Sequence, residues 1–218
     1  MNIRLTWKPQ PGGRAFVYCC TAFLVLIGFL AGWTLSAEKL PLTISCAATP
    51  TDGAPPLTVK FQCKAVGGKG KYSYRWTFGE GSTSGEQNPA HTYERIGDFT
   101  AGVLVRSGTQ SASWNQPIHV AVKKTVTVAG EGGASEIRFQ ATRGQKVRIH
   151  MQAQAAGMEP YGHLESASGG NYHPPNEGAR DGVNSWEGKL PDTGKYVLTV
   201  FDGSNRGGSV TVTIEEAR

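Results

Sequence analysis

Tyr-Ser-Tyr-Arg-Trp-Thr-Phe-Gly-Glu-Gly at 72–81, followed by Asn-Pro-Ala-His-Thr-Tyr at 88–93, decides how this chain folds. Trp76 and Phe78 are two residues apart, so in a strand they share one face and can fill a core together. Gly79 and Gly81 flank a turn in which positive φ is easy for glycine. Tyr93 can bury its ring while its hydroxyl finds a backbone partner. His91, a lone histidine in such a segment, reads as hydrogen-bonded scaffold rather than as a metal ligand or base. Upstream, Leu57, Val59 and Phe61 alternate with Thr58, Lys60 and Gln62, and Leu42 and Ile44 alternate with Thr43 and Ser45. Downstream come Phe-Thr-Ala-Gly-Val-Leu-Val at 99–105 and Pro-Ile-His-Val-Ala-Val at 117–122. Short alternating runs bounded by Gly, Pro, Asn and Ser predict a β-sandwich over 38–124.

The ordered set Pro56, Leu57, Val59, Phe61, then Trp76, Phe78, Gly79, Gly81, then Asn88, Pro89, His91, Thr92, Tyr93, Gly97 and Thr100 resembles a PKD domain. Two positions depart: Glu80 stands for the family's Asp and Phe99 for its Tyr, and the longer Glu80 weighs against a cation site built on the shorter carboxylate. The resemblance implies an immunoglobulin-like sandwich, a non-catalytic module of surface proteins that mediates contact with proteins or carbohydrates. Trp76, Phe78, Gly79, Gly81, His91 and Tyr93 are expected to build its scaffold.

A boundary falls near 123–134, where Val-Thr-Val-Ala-Gly-Glu-Gly-Gly leads into a glycine turn. Two strands are predicted around Arg143-Gly144-Gln145, with Ile137, Phe139, Val147, Ile149 and Met151 alternating, and closing strands follow from Trp186 onward. Gly144-Gln145-x-Val147 with Leu190-Pro191-x-Thr193-Gly194-x-Tyr196-x-Leu198-x-Val200 resembles the bacterial pre-peptidase C-terminal domain, which implies a jelly-roll-like sandwich over 125–218. The expected fold class is therefore all-β, with two tandem sandwiches behind one N-terminal transmembrane helix.

Within the second sandwich, 158–185 reads as a long irregular loop. Tyr161, His163, Tyr172, His173, Asn176, Arg180 and Trp186 are its candidate binding residues: aromatic faces stack on sugars or dock peptides, and polar side chains give direction. Ser168-Gly169-Gly170-Asn171-Tyr172 and Trp186-x-Gly188-x-Leu190-Pro191-x-x-Gly194-x-Tyr196 are similar to patterns in bacterial lysozyme inhibitors, including those of goose-type lysozyme.

Ahead of the sandwiches, residues 15–35 form a run of 21 residues without a charge. As a helix it spans roughly 30 Å, the thickness of a bilayer's hydrocarbon core. Arg4, Lys8 and Arg14 precede it with no acid in 1–37, so 1–14 is expected to stay in the cytoplasm and the rest to be exported. The length of 15–37 favours a retained signal anchor; cleavage after Ala37 would instead release a secreted protein. Cys19 and Cys20 lie within the apolar run as ordinary small side chains. On the exported side, Cys46 and Cys63 flank a turn-rich centre and suggest a cross-strand disulfide, with two separate buried thiols as the other outcome.

The formal charge of +5 is spread as ten Lys/Arg against six Asp/Glu over 38–124 and nine against eleven over 125–218. No basic stripe results, which argues against nucleic-acid binding. The histidines form no H-E-x-x-H, and neither G-x-S-x-G nor a phosphate loop occurs. No enzyme activity, metal or other cofactor is expected; calcium is left open, with no specific motif that calls for it. The expected protein is a single-pass protein of the bacterial cell membrane whose exported domains bind an envelope polysaccharide or protein. The alternatives are a periplasmic lysozyme inhibitor acting through 166–173 and an accessory or spacer module for a separately encoded secreted enzyme.

Overall fold

A computed structural model describes residues 40–172 and 181–217; the expected membrane segment at 15–37 lies outside them. No helix occurs among the described residues, and sixteen strands follow in chain order. The first eight are β1 (Thr43–Thr49), β2 (Asp52–Gly53), β3 (Leu57–Val66), β4 (Ser73–Thr77), β5 (Thr83–Ser84), β6 (Ala90–Tyr93), β7 (Gly97–Ser107) and β8 (Gln110–Val120). They form a three-stranded sheet, β1-β3-β6, and a five-stranded sheet, β2-β8-β7-β4-β5.

Alternation in the sequence becomes alternation in burial. Along β3, Leu57, Val59, Phe61 and Cys63 point inward while the residues between them are exposed. Phe61 packs against Trp76 and Phe78 with ring centroids 5.2 and 5.3 Å away. The indole N–H of Trp76 donates to the Glu86 carbonyl at 2.9 Å, and the Tyr93 hydroxyl donates to the Phe78 carbonyl at 3.0 Å. Burial, reinforced by the Glu80 carboxylate, raises the Tyr93 hydroxyl above the usual phenol range, so it stays a donor. Gly79 and Gly81 take φ of 86° and 95°, and a Cβ on Gly79 would lie 2.8 Å from the Thr100 backbone nitrogen. Glu80 turns back to His91, Oε1 to Nε2 2.6 Å, and lies 3.4 Å from Arg95, while the His91 ring stacks on Phe78.

Cys46 and Cys63 are directly opposite one another in the β1–β3 register and form a disulfide, so the separate-thiol alternative falls away. The bridge closes a loop with a sequence separation of 17. Reduction is expected to lower stability by about 3 kcal/mol, read as a shift of the denaturant midpoint with and without reductant. An unchanged midpoint would contradict a structural role for the bridge.

The second eight are β9 (Val122–Val128), β10 (Ala134–Ala141), β11 (Lys146–Ala153), β12 (Pro160–Ser166), β13 (Asn171–Tyr172), β14 (Val183–Lys189), β15 (Gly194–Asp202) and β16 (Gly208–Glu216). Two four-stranded sheets result, β14-β11-β16-β9 and β10-β15-β12-β13. The pairs β9–β16, β10–β15, β11–β14 and β12–β13 are the successive rungs of one long hairpin rolled over on itself. Ile137, Phe139, Ile149, Leu164, Tyr196, Leu198, Val212 and Ile214 are buried between the sheets. β9 begins at Val122, opposite Ile214, so residues 122–124 already belong to the second pair of sheets.

One residue of the first sandwich enters this second core. Ile96, in the turn between β6 and β7, is fully buried among the second sandwich's apolar side chains. Its N–H donates to the Gln140 carbonyl at 3.1 Å, and the Gln145 side-chain amide donates to its carbonyl at 3.0 Å. Nearby, the Asp98 N–H donates to a Glu216 carboxylate oxygen at 2.9 Å. These contacts join the two sandwiches.

The stretch 158–185, read from the sequence as a loop, contains β12, an interior strand of its sheet. Its inward positions are Pro160, Gly162, Leu164 and Ser166, of which only Leu164 carries a large apolar side chain. Gly162 is needed there, because a Cβ would lie 2.9 Å from Leu198 Cδ1.

Candidate functional site

The candidate binding residues that the structure describes fall into three places. Tyr161 and His163 lie on β12 and face outward from the β10-β15-β12-β13 sheet. Tyr172 lies in β13, opposite Leu164 in register. His173, Asn176 and Arg180 lie outside the described residues. Trp186 belongs to the other sheet: it is paired with Ile149 on the inward face of β14 and packs against the core. Its ring runs over Gly188, where a Cβ would come within 2.3 Å of it. Its aromatic surface is thus used in packing rather than displayed beside Tyr161.

The outer face that carries Tyr161 is ordered in rows by the antiparallel register. At one end Tyr161 is opposite Phe201, with ring centroids 5.0 Å apart and planes 16° from parallel. Tyr161 is 36% exposed, the only aromatic residue among the large exposed apolar side chains of the described residues. The next row is His163, Thr199 and Glu136; then follow Glu165, Val197 and Arg138, and finally Lys195 and Gln140. His163 Nε2 is 3.1 Å from Glu165 Oε1, and Arg138 donates to Glu136 at 2.5 Å. At a rise of 3.3–3.4 Å per residue, the face runs about 20 Å from the Phe201 row to the Lys195 row. It is polar, near neutral in charge, and aromatic at one end.

At the far end the face enters a cleft of about 560 Å³. One wall is the sheet, with Arg138, Gln140, Glu165 and Val197; the other is Pro55, Pro56 and Glu94 of the first sandwich. The sequence contained a signal for the sheet wall, since Lys195, Val197, Thr199 and Phe201 alternate with the buried Tyr196, Leu198 and Val200. Nothing in it linked Pro55, Pro56 and Glu94 to that wall, because the link is made by Ile96.

The opposite outer face, on β14-β11-β16-β9, is closed by its own charges. Arg148 donates to Glu187 at 2.8 Å and to Glu215 at 3.3 Å, and Lys146 also pairs with Glu187. Hydrogen bonds from Lys146 and Arg148 hold the Glu187 carboxyl below the usual range. Among the described residues this face displays no Phe, Tyr or Trp. No group of three or more His, Cys, Asp or Glu side chains suited to a metal ion occurs among the described residues.

Residues 43–122 match the PKD domain family model. Among solved structures, the chain is similar to the PKD1 domain of the Vibrio cholerae metalloprotease PrtV, with 25% identity, 37% of this chain and 98% of that one covered, and a TM-score of 0.32. It is also similar to a carbohydrate-binding module of the β-sandwich superfamily, with 14% identity, 82% and 98% covered, and a TM-score of 0.36. A third similarity is to Aeromonas hydrophila PliG, a periplasmic inhibitor of g-type lysozyme, with 18% identity, 43% and 80% covered, and a TM-score of 0.26. No curated protein sequence matches the chain. The resemblance of 125–218 to the pre-peptidase C-terminal domain finds no support in these comparisons.

Proposed function

We propose that the chain is a non-catalytic carbohydrate-binding protein of the bacterial envelope, anchored by residues 15–37, which binds glycans on the outer face of the β10-β15-β12-β13 sheet. The observation that carries this reading is the displayed Tyr161–Phe201 pair at the head of a polar face leading into a cleft. Sugar rings offer apolar C–H faces that stack on aromatics and hydroxyls that pair with Glu, Arg, Gln and Thr. The near balance of Glu136, Glu165 and Glu94 against Arg138 and Lys195 selects neither a polyanion nor a polycation. The strand orders β14-β11-β16-β9 and β10-β15-β12-β13 support a jelly-roll reading of the second half, and β2-β8-β7-β4-β5 with β1-β3-β6 an immunoglobulin-like reading of the first.

In a sedimentation assay with insoluble envelope polysaccharides, the full chain is expected to bind, and Tyr161→Ala to bind about tenfold more weakly, about 1.4 kcal/mol. Retention of full binding by Tyr161→Ala would remove the aromatic platform from the account.

A second reading, inhibition of a lysozyme through 166–173, is favoured by the fixing of the turn that joins β12 and β13. Ser168 Oγ donates to Asp192 Oδ2 at 2.7 Å and lies 2.7 Å from Ser166 Oγ, so the turn is held before any partner arrives. Undiminished lysis of cells by lysozyme in the presence of excess protein would dismiss it.

A further inference from the structure

We infer that the cleft between the two sandwiches is a subsite for the N-acetyl group of an amino-sugar oligosaccharide lying along the sheet face. The inference rests on the reading of that face as a glycan surface and adds what the cleft selects. Its volume, about 560 Å³, is in the range of sites that hold a whole small ligand, about 300–1,000 Å³, so it has room for the acetamide together with the ring that carries it. Both sandwiches build it, and Ile96 fixes them: Glu94 is two residues before Ile96, and Ile96 N–H is bonded to the carbonyl of Gln140, which lines the opposite wall. The cleft is therefore formed before a ligand arrives, and little is spent on ordering it.

Its chemistry is that of a secondary acetamide. Pro55, Pro56 and Val197 supply facing apolar surface, on which a methyl group is removed from water. The carboxylates of Glu94 and Glu165 are acceptors for an amide N–H, and Lys195 and Gln140 are donors for its carbonyl. A hydroxyl in place of the acetamide would leave the apolar walls uncovered; a free ammonium would also leave them uncovered, its charge drawn to Glu94 and Glu165 instead. Such oligosaccharides come from chitin-type glycans or from peptidoglycan, whose alternate rings also carry a lactyl carboxylate.

The experiment is calorimetric titration of the full chain with the tetramers of N-acetylglucosamine, glucosamine and glucose. The N-acetylated tetramer is expected to bind at least about tenfold more tightly than the other two. Val197→Arg, an outward position whose change fills the cleft, is expected to remove that preference while leaving the thermal midpoint unchanged. Equal affinity for all three tetramers would overturn the N-acetyl subsite and leave the glycan face standing. Binding of none would overturn both. A parallel titration with the peptide-free peptidoglycan tetrasaccharide separates the sources: tighter binding than the N-acetylglucosamine tetramer assigns the cleft to peptidoglycan, weaker binding to chitin-type glycans.

Discussion

Ile96→Asp is expected to split the unfolding of the chain into two transitions and to destabilise the second sandwich by more than about 4 kcal/mol. Ile96 is fully buried and belongs to the apolar core formed by β9 to β16, although it is carried by the first sandwich. A carboxylate there has no partner in that core, so the turn must withdraw and leave a void behind it. The first sandwich keeps its own core of Val59, Phe61, Trp76, Tyr93 and Val105, none of which touches the change directly. Its transition should stay near its original midpoint while the other moves down. Ile96→Val, which removes one methylene, should cost only about 0.5–1.5 kcal/mol and leave one transition. Calorimetry of both variants reads the outcome, and an unshifted single transition for Ile96→Asp would show that the sandwiches are not joined through this residue.

The second large effect is expected at Asp202. Its carboxylate is buried at the end of β15 and accepts from the N–H groups of Glu159, Ser204, Arg206 and Gly207 and from the Ser204 hydroxyl. Burial alone would raise its pKa; these hydrogen bonds outweigh burial and hold the carboxyl well below the usual carboxylate range. Asp202→Ala leaves buried donors unpaired and is expected to cost about 3 kcal/mol or more. The sign of the pH dependence follows from the direction of the shift. The depressed folded pKa means that this contribution is complete above the unfolded value, about 3.9, and is lost as pH falls through the folded one. Thermal midpoints measured from about pH 5 downward should therefore converge between the wild type and Asp202→Asn. A constant gap across that range would show that the carboxylate is not the staple. Because Asp202 ties Glu159, and Tyr161 and Phe201 stand beside these two, the same variant should also weaken binding at the aromatic end of the face.

The parts of the fold that were legible in the sequence are those where inward positions are apolar at period two. β3, with Leu57, Val59, Phe61 and Cys63, and β15, with Tyr196, Leu198 and Val200, announce themselves in this way. β12 does not, because close packing on Leu198 requires Gly162 and the turn network requires Ser166, so its buried face reads as polar loop. Tyr161 and His163 were singled out as candidates, but as loop residues; the strand is what aligns them with Thr199, Val197 and Phe201. Trp186 misleads in the opposite direction, since its partly buried ring closes the core beside Gly188. The cleft was not legible at all. It depends on a single isoleucine in a short turn, and on Pro55, Pro56 and Glu94 being carried by it to a sheet far along the chain.

Hydroxyl-radical footprinting of the full chain, with and without a bound glycan, tests the central claim most directly, because aromatic and imidazole side chains are the ones it reads well. The account predicts protection of Tyr161, Phe201 and His163 on the β10-β15-β12-β13 face, with His150 on the opposite face unchanged. Protection of His150 without Tyr161, or bound glycan with no protection of Tyr161 and Phe201, would contradict it.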